Sequence, residues 1–148
     1  MSESTQRHKF GLVGYTASRA EAPWGDPEWD LAGCNNLWSM VPEAAAATCW
    51  FDLHSVATIK ADAVHAKWMT ETEVPVYVWR PQPEWKSSVE FPKDGILDAF
   101  REFKGGRYFT NSISWMTAFA IAHILEAGGG EPHPTAELGI FGVDMATN

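Results

Sequence analysis

Two rhythms of apolar and polar positions run along this chain, and the change from one to the other marks its elements. Phe10-Gly11-Leu12-Val13 runs apolar and stops at Gly14, and similar runs recur at residues 30–35, 49–54, 74–79 and 137–143. Continuous apolar runs bounded by turn signals are the signature of strands covered on both faces, as in parallel sheets. The pattern therefore predicts inner strands over 11–15, 50–53, 76–79 and 139–143, and takes the more weakly strand-like 30–35 as a second parallel strand.

Between these runs the spacing changes to that of helices. Val56, Ile59, Ala63 and Ala66 predict one amphipathic helix over 55–69, and Ile96, Leu97, Phe100 and Phe103 another over 94–104, ended by Gly105-Gly106. The longest apolar helix is predicted over 112–127, with Ile113, Met116, Ala120 and Ile124 on one face and little polar surface elsewhere. Such a helix belongs against a sheet, and Gly128-Gly129-Gly130 stops it. The alanine-rich residues 43–48 are helical by propensity, and Asp26-Pro27 opens a short helical turn. Residues 80–91 have no period and predict a surface loop, while 107–110 predict a brief extended segment. Residues 1–8 predict a loosely held leader. Strand alternating with helix, with no internal repeat, predicts one α/β domain over 9–148: a Rossmann-like three-layer fold with a mostly parallel sheet.

Composition narrows the function classes. A chain of 148 residues carrying a net charge of −8 lacks the clustered Lys and Arg that nonspecific nucleic-acid binding demands. A single arginine with backbone amides still suffices for a small anion. No apolar run has transmembrane length and the first residues lack a signal peptide's apolar segment, so no membrane partner and a cytoplasmic location are expected. Cys34 and Cys49 stand in apolar contexts without metal-ligand spacing and are expected as buried free thiols, with no metal site assigned.

Candidate chemistry gathers at the carboxyl ends of the predicted strands, where ligands of open α/β sheets lie. After the first strand, Gly14 permits close backbone approach, and Thr16, Ser18 and Arg19 offer two hydroxyls and a guanidinium to an anion. Asn35 and Asn36 follow the second strand and either form its turn or bond a base or ribose. Asp52 and His54, two apart on a strand, face one side; they serve as acid/base machinery, as two metal ligands, or as a polar strand end. His65 reads as a surface or boundary residue. Thr110, Asn111 and Ser112 are capping residues opening the long helix, where free amides attract phosphate. Gly142 and Asp144 close the last strand. Eight tryptophans are many for this length, and Trp24 or Trp38 is placed to stack on a base or fill a core gap.

Phe109-Thr110-Asn111-Ser112 before the long helix, with Leu138-Gly139-Ile140-Phe141-Gly142-Val143-Asp144, resembles the closing half of bacterial family-42 sialyltransferases. It is similar as well to the Rossmann-like families that include archaeal hydroxymethylpterin diphosphokinases and flagellar motility accessory proteins. Gly14 and Asn35-Asn36 match the same families' opening loop and second-strand asparagine, although Gly14-Tyr15-Thr16-Ala17-Ser18 lacks their glycine–proline–serine. Ala22-Pro23-Trp24, Asp26-Pro27-Glu28-Trp29 and Trp50-Phe51-Asp52-Leu53-His54 resemble small phage and prophage proteins, which would place the chain in a host cytoplasm. The resemblance implies a Rossmann-like fold with a nucleotide pocket; with it the chain reads as a nucleotide-binding protein, a small nucleotide-dependent transferase in which Asp52 and His54, candidates from their own spacing, carry the chemistry. It is compatible with Mg2+ beside the nucleotide and with a homo-oligomer. Two other classes stay open: a binder that sequesters a host signalling nucleotide, and an interaction module that uses the Trp-rich segment.

Overall fold

The computed structural model describes residues 8–103 and 109–144. Six strands form one sheet: β1 (Lys9–Val13), β2 (Trp29–Cys34), β3 (Cys49–Asp52), β4 (Val76–Val78), β5 (Ser88–Glu90) and β6 (Glu137–Phe141). Their order is β5-β4-β3-β2-β1-β6, and every neighbouring pair is parallel. Among the described residues four α-helices accompany them: α1 (Val56–Ala61), α2 (Ala63–Glu71), α3 (Lys93–Ala99) and α4 (Ser112–Ala127). The Rossmann-like α/β architecture expected from the strand–helix alternation is the one found.

Period-2 alternation sorts the strand residues between two cores. Phe10, Leu12 and Phe51 face Ile96 of α3 and Met116, Ala118, Ala120 and Ile124 of α4. Val13, Trp50, Val76 and Val78 face the opposite layer, where Ile59 of α1, Met69 of α2, Leu37 and Trp85 close over them. Asp52, two residues after Trp50, therefore emerges on the α1–α2 side.

From β1 the chain steps outward one strand at a time to β5; α4 then carries it back to lay β6 on the free side of β1. The point at which the strand order reverses lies between β1 and β6. Leu12 and Ile140 are direct register partners there.

Several boundaries differ from expectation. The single helix over 55–69 is two, broken at Asp62, whose carboxylate caps α2 by accepting from the amides of Val64 and His65 at 3.1 and 3.0 Å. An aspartate that bonds free amides at once competes with continuing the helix. Residues 43–48 give only a 3-10 turn, Pro42–Ala46, and the 94–104 helix yields to a 3-10 turn at Arg101–Phe103. The predicted loop over 80–91 contains β5, too short for its alternation to register. The last strand is an edge strand, with Ile140 48% exposed, and not an inner one. The Asp26-Pro27 turn forms without becoming a helix, Asp26 Oδ1 accepting from the Glu28 amide at 2.9 Å. The leader apart from His8, the Gly105-Gly106 stop and the start of the 107–110 segment lie outside the described residues.

Candidate functional site

Asp52 ends β3 with its side chain turned back on the chain. Its Oδ1 accepts from the His54 amide at 3.1 Å, an Asx turn that bends the strand exit, and lies 2.8 Å from His54 Nδ1. Its Oδ2 lies 2.6 Å from Nε2 of His65 on α2. The residue is 1% exposed. Burial pushes the carboxyl up, but the hydrogen bonds from His65 and His54 outweigh it and hold the group below the ordinary aspartate range. Asp52 is thus a buried carboxylate that can only accept.

That constraint assigns protons on both imidazoles. His54 must carry its hydrogen on Nδ1, which leaves Nε2 as the free nitrogen of a half-exposed side chain. His65 is pinned from two sides. Its Nε2 donates to Asp52, while its Nδ1 accepts from the indole N–H of Trp38 at 2.9 Å. An indole only donates and a carboxylate only accepts, so both partners select the neutral Nε2–H tautomer. Trp38 is held in turn by Trp68 of α2, stacked at 5.2 Å between centroids with the rings 2° apart.

A pocket of about 310 Å3 opens over this group, bordered by Tyr15, Asn35, Asn36, Asp52, His54 and Asp62 among others. Tyr15 donates to Asn36 Oδ1 at 2.7 Å, and burial pushes its phenol up to about 12, so the hydroxyl stays a donor. Asn35 sits at φ +50°, a left-handed conformation that asparagine tolerates better than most residues. Its carbonyl accepts from the Trp50 indole at 2.8 Å, while its Oδ1 is buried with no hydrogen-bond partner among the described residues. Among those residues no group of three or more His, Cys, Asp or Glu is placed to hold a metal ion. Cys34 and Cys49 are free and buried, and burial pushes both thiols up to about 12.

The structure separates the other candidates from this pocket. The segments that carry Gly14, Thr16 and Ser18 and Gly142 and Asp144 bond one another across the β1–β6 exit. The Gly14 amide donates to Phe141 O at 2.7 Å and the Thr16 amide to Gly142 O at 2.9 Å. Ser18 Oγ donates to Asp144 Oδ1 at 2.6 Å and accepts from the Gly142 amide at 2.9 Å. Arg19 turns its guanidinium onto the carbonyls of Tyr15 and Thr16, at 2.7 and 3.1 Å. Asn111 and the helix that Ser112 begins form a capping box with Ser114: Asn111 Oδ1 accepts from the Ser114 amide at 2.9 Å. Of the twelve candidates, Asn35, Asn36, Asp52 and His54 share one pocket.

His65, expected as a surface or boundary residue, is 4% exposed and central. The signal was available: His65 stands one helical turn before Met69, a core residue, on the first helix pair after the Asp52 strand. Tyr15 and Trp38 carry no such signal in sequence, because each contact joins segments far apart in the chain, Tyr15 to Asn36 and Trp38 to His65 on α2. The chain matches no family model, no curated protein and no solved structure.

Proposed function

We propose that the chain binds a nucleotide-type small molecule over the carboxyl ends of β1, β2 and β3, with His54 as the proton-transferring group. One observation carries this reading: a buried carboxylate spends both oxygens on two histidines, leaving one imidazole nitrogen free at the wall of a pocket. Asp52 accepts the Nδ1 hydrogen of His54, so Nε2 is the nitrogen that takes a proton from a ligand hydroxyl and returns it to a leaving group. The orphaned Asn35 Oδ1 supplies an acceptor for an exocyclic amine or ribose hydroxyl.

The hydroxyls nearest His54 in the chain are already committed. Ser55 Oγ lies 2.8 Å from Thr58 Oγ1 and caps α1. Neither hydroxyl is therefore a ready nucleophile, and with His54 acting as a base the reading is direct transfer between two ligands, the chemistry of a small nucleotide-dependent transferase. The same observation suits a binder that withholds a nucleotide without turning it over.

A thermal-shift panel of nucleosides, nucleotides, nucleotide sugars and cyclic dinucleotides tests the reading, since a ligand of the folded state raises stability as the logarithm of its excess over Kd. At least one of these is expected to raise the melting temperature, with the rise reduced by Asn35→Ala. If none does, the reading falls. With that ligand and candidate acceptors, His54→Gln is expected to abolish turnover and retain binding; a ligand returned intact by the wild type selects the binder.

A further inference from the structure

We propose that the cleft on the other side of His54 takes the phosphate of the ligand, between Arg80 and Lys93. The proposal rests on the reading above and names the anionic part of its ligand. The cleft holds about 630 Å3 and is bordered by Leu53, His54, Val78, Trp79, Arg80 and Lys93, so His54 is shared between it and the Asn35 pocket.

Charge distribution makes this cleft unusual. The chain carries 19 Asp and Glu against 11 Lys and Arg, yet no carboxylate lines the cleft. Three other pockets each present at least one: Asp52 and Asp62, Glu90 and Glu126, or Glu90 and Asp94. Most described cations are already matched, Lys9 with Glu28, Lys60 with Glu84, Lys67 with Glu71 and Arg101 with Asp98. Arg19 is engaged with backbone carbonyls. Arg80, Lys86 and Lys93 have no carboxylate partner among the described residues; Arg80 and Lys93 both border this cleft, and Lys93 also borders the pocket that holds Glu90 and Asp94. Two cations without an ion-pair partner, around a cleft that no carboxylate lines, are complementary to an anion even in a chain of net charge −8.

The floor between them is firm. Trp79 donates its indole N–H to the Leu53 carbonyl at 2.7 Å and is wedged edge-to-face against Phe91 and Trp115. The Lys93 ammonium lies 5.7 Å from the Trp79 ring centroid. Phosphate held here and a sugar or base held at Asn35 would place the bond between them beside His54.

The test titrates inorganic pyrophosphate into the protein at constant ionic strength, following the His54 ring and the Trp79 indole N–H by NMR. Saturable shifts at both are expected. Arg80→Ala combined with Lys93→Ala is expected to weaken binding at least about tenfold, the scale of one charge-assisted hydrogen bond. Both side chains are exposed, so the double variant should keep the wild-type melting temperature without anion. Arg19→Ala should leave affinity unchanged. The proposal is overturned by no saturable response, by unchanged affinity in the double variant, or by shifts centred on Thr16 and Ser18 that vanish in Arg19→Ala. A nucleoside and its 5′-monophosphate separate this failure from that of the reading it rests on. If the nucleoside shifts Tyr15 and Asn35 but the phosphate adds no affinity that the double variant loses, only the phosphate subsite falls. If pyrophosphate saturates the cleft while neither compound moves Tyr15 or Asn35, the anion subsite stands and the nucleotide reading falls.

Discussion

Asp52 accepts three N–H groups, from the His54 backbone, the His54 ring and the His65 ring. Asp52→Asn would replace one acceptor oxygen with an NH2 that meets an imidazole N–H head-on. We expect it to lower stability by about 1.5–3 kcal/mol, the range for a hydrogen bond to a charged group, read from urea unfolding at pH 7. The pH dependence has a definite sign. Because the folded-state pKa is depressed, the stabilisation from Asp52 is fully present above the unfolded value of about 3.9. It is lost as the pH falls through the folded value, so the gap between wild type and variant should close only below about pH 4. A gap that stays constant down to pH 2 would remove Asp52 as its source. Trp38 supplies a second check at this scale. Nitrogen-15 imidazole spectra should show His65 as the pure Nε2–H tautomer, and Trp38→Phe should release Nδ1 and mix the forms. The meeting of Asp52 and His54 was legible from their closeness in sequence, but its cause was not strand alternation: β3 ends at Asp52, and the Asx turn brings the imidazole back onto the carboxylate. The third member was not legible, because His65 reaches Asp52 only after a helix break has reoriented α2.

Among the elements, β1 and β6 leave the sheet together and lock through two glycines. A Cβ on Gly14 would come within 2.5 Å of the Gly142 carbonyl oxygen, and one on Gly142 within 2.5 Å of the Gly14 oxygen. Gly142 also sits at φ +72°, which side chains resist. Gly142→Ala combines backbone strain with overpacking against main chain, so we expect about 1–3 kcal/mol of destabilisation, measured by urea unfolding. A neutral substitution would mean that the two loops part easily. Gly14 was legible as a point of close backbone approach; what approaches it is another strand's loop. The helix over 55–69 shows the complementary limit. Its apolar spacing in sequence runs on through Ala63 and Ala66, yet Ala63 is exposed and α2 buries His65 and Met69 instead, because the Asp62 cap restarts the helix in a new orientation.

At the scale of the molecule, the strand order decides which carboxyl edge is open. Strand and helix alternation made the Rossmann-like class legible, but it carries no information on the side of β1 to which the last strand returns. With β6 on the free side of β1, the reversal point lies where the Gly14 and Gly142 loops bond one another. The Asn35 pocket lies on the opposite side of β1, over β2 and β3. Hydrogen exchange distinguishes the two places in one experiment, because amides slow where a ligand suppresses local opening. With the nucleotide that gives the largest thermal shift, protection is expected at residues 35–38 and 53–58, which follow β2 and β3. The amides at 16–19 and 142–144 should exchange as in the free protein, as should β5 at the far edge. Protection confined to 16–19 and 142–144 would return the ligand to the reversal point, with Thr16, Ser18 and Arg19 giving up their bonds to the fold in order to hold it.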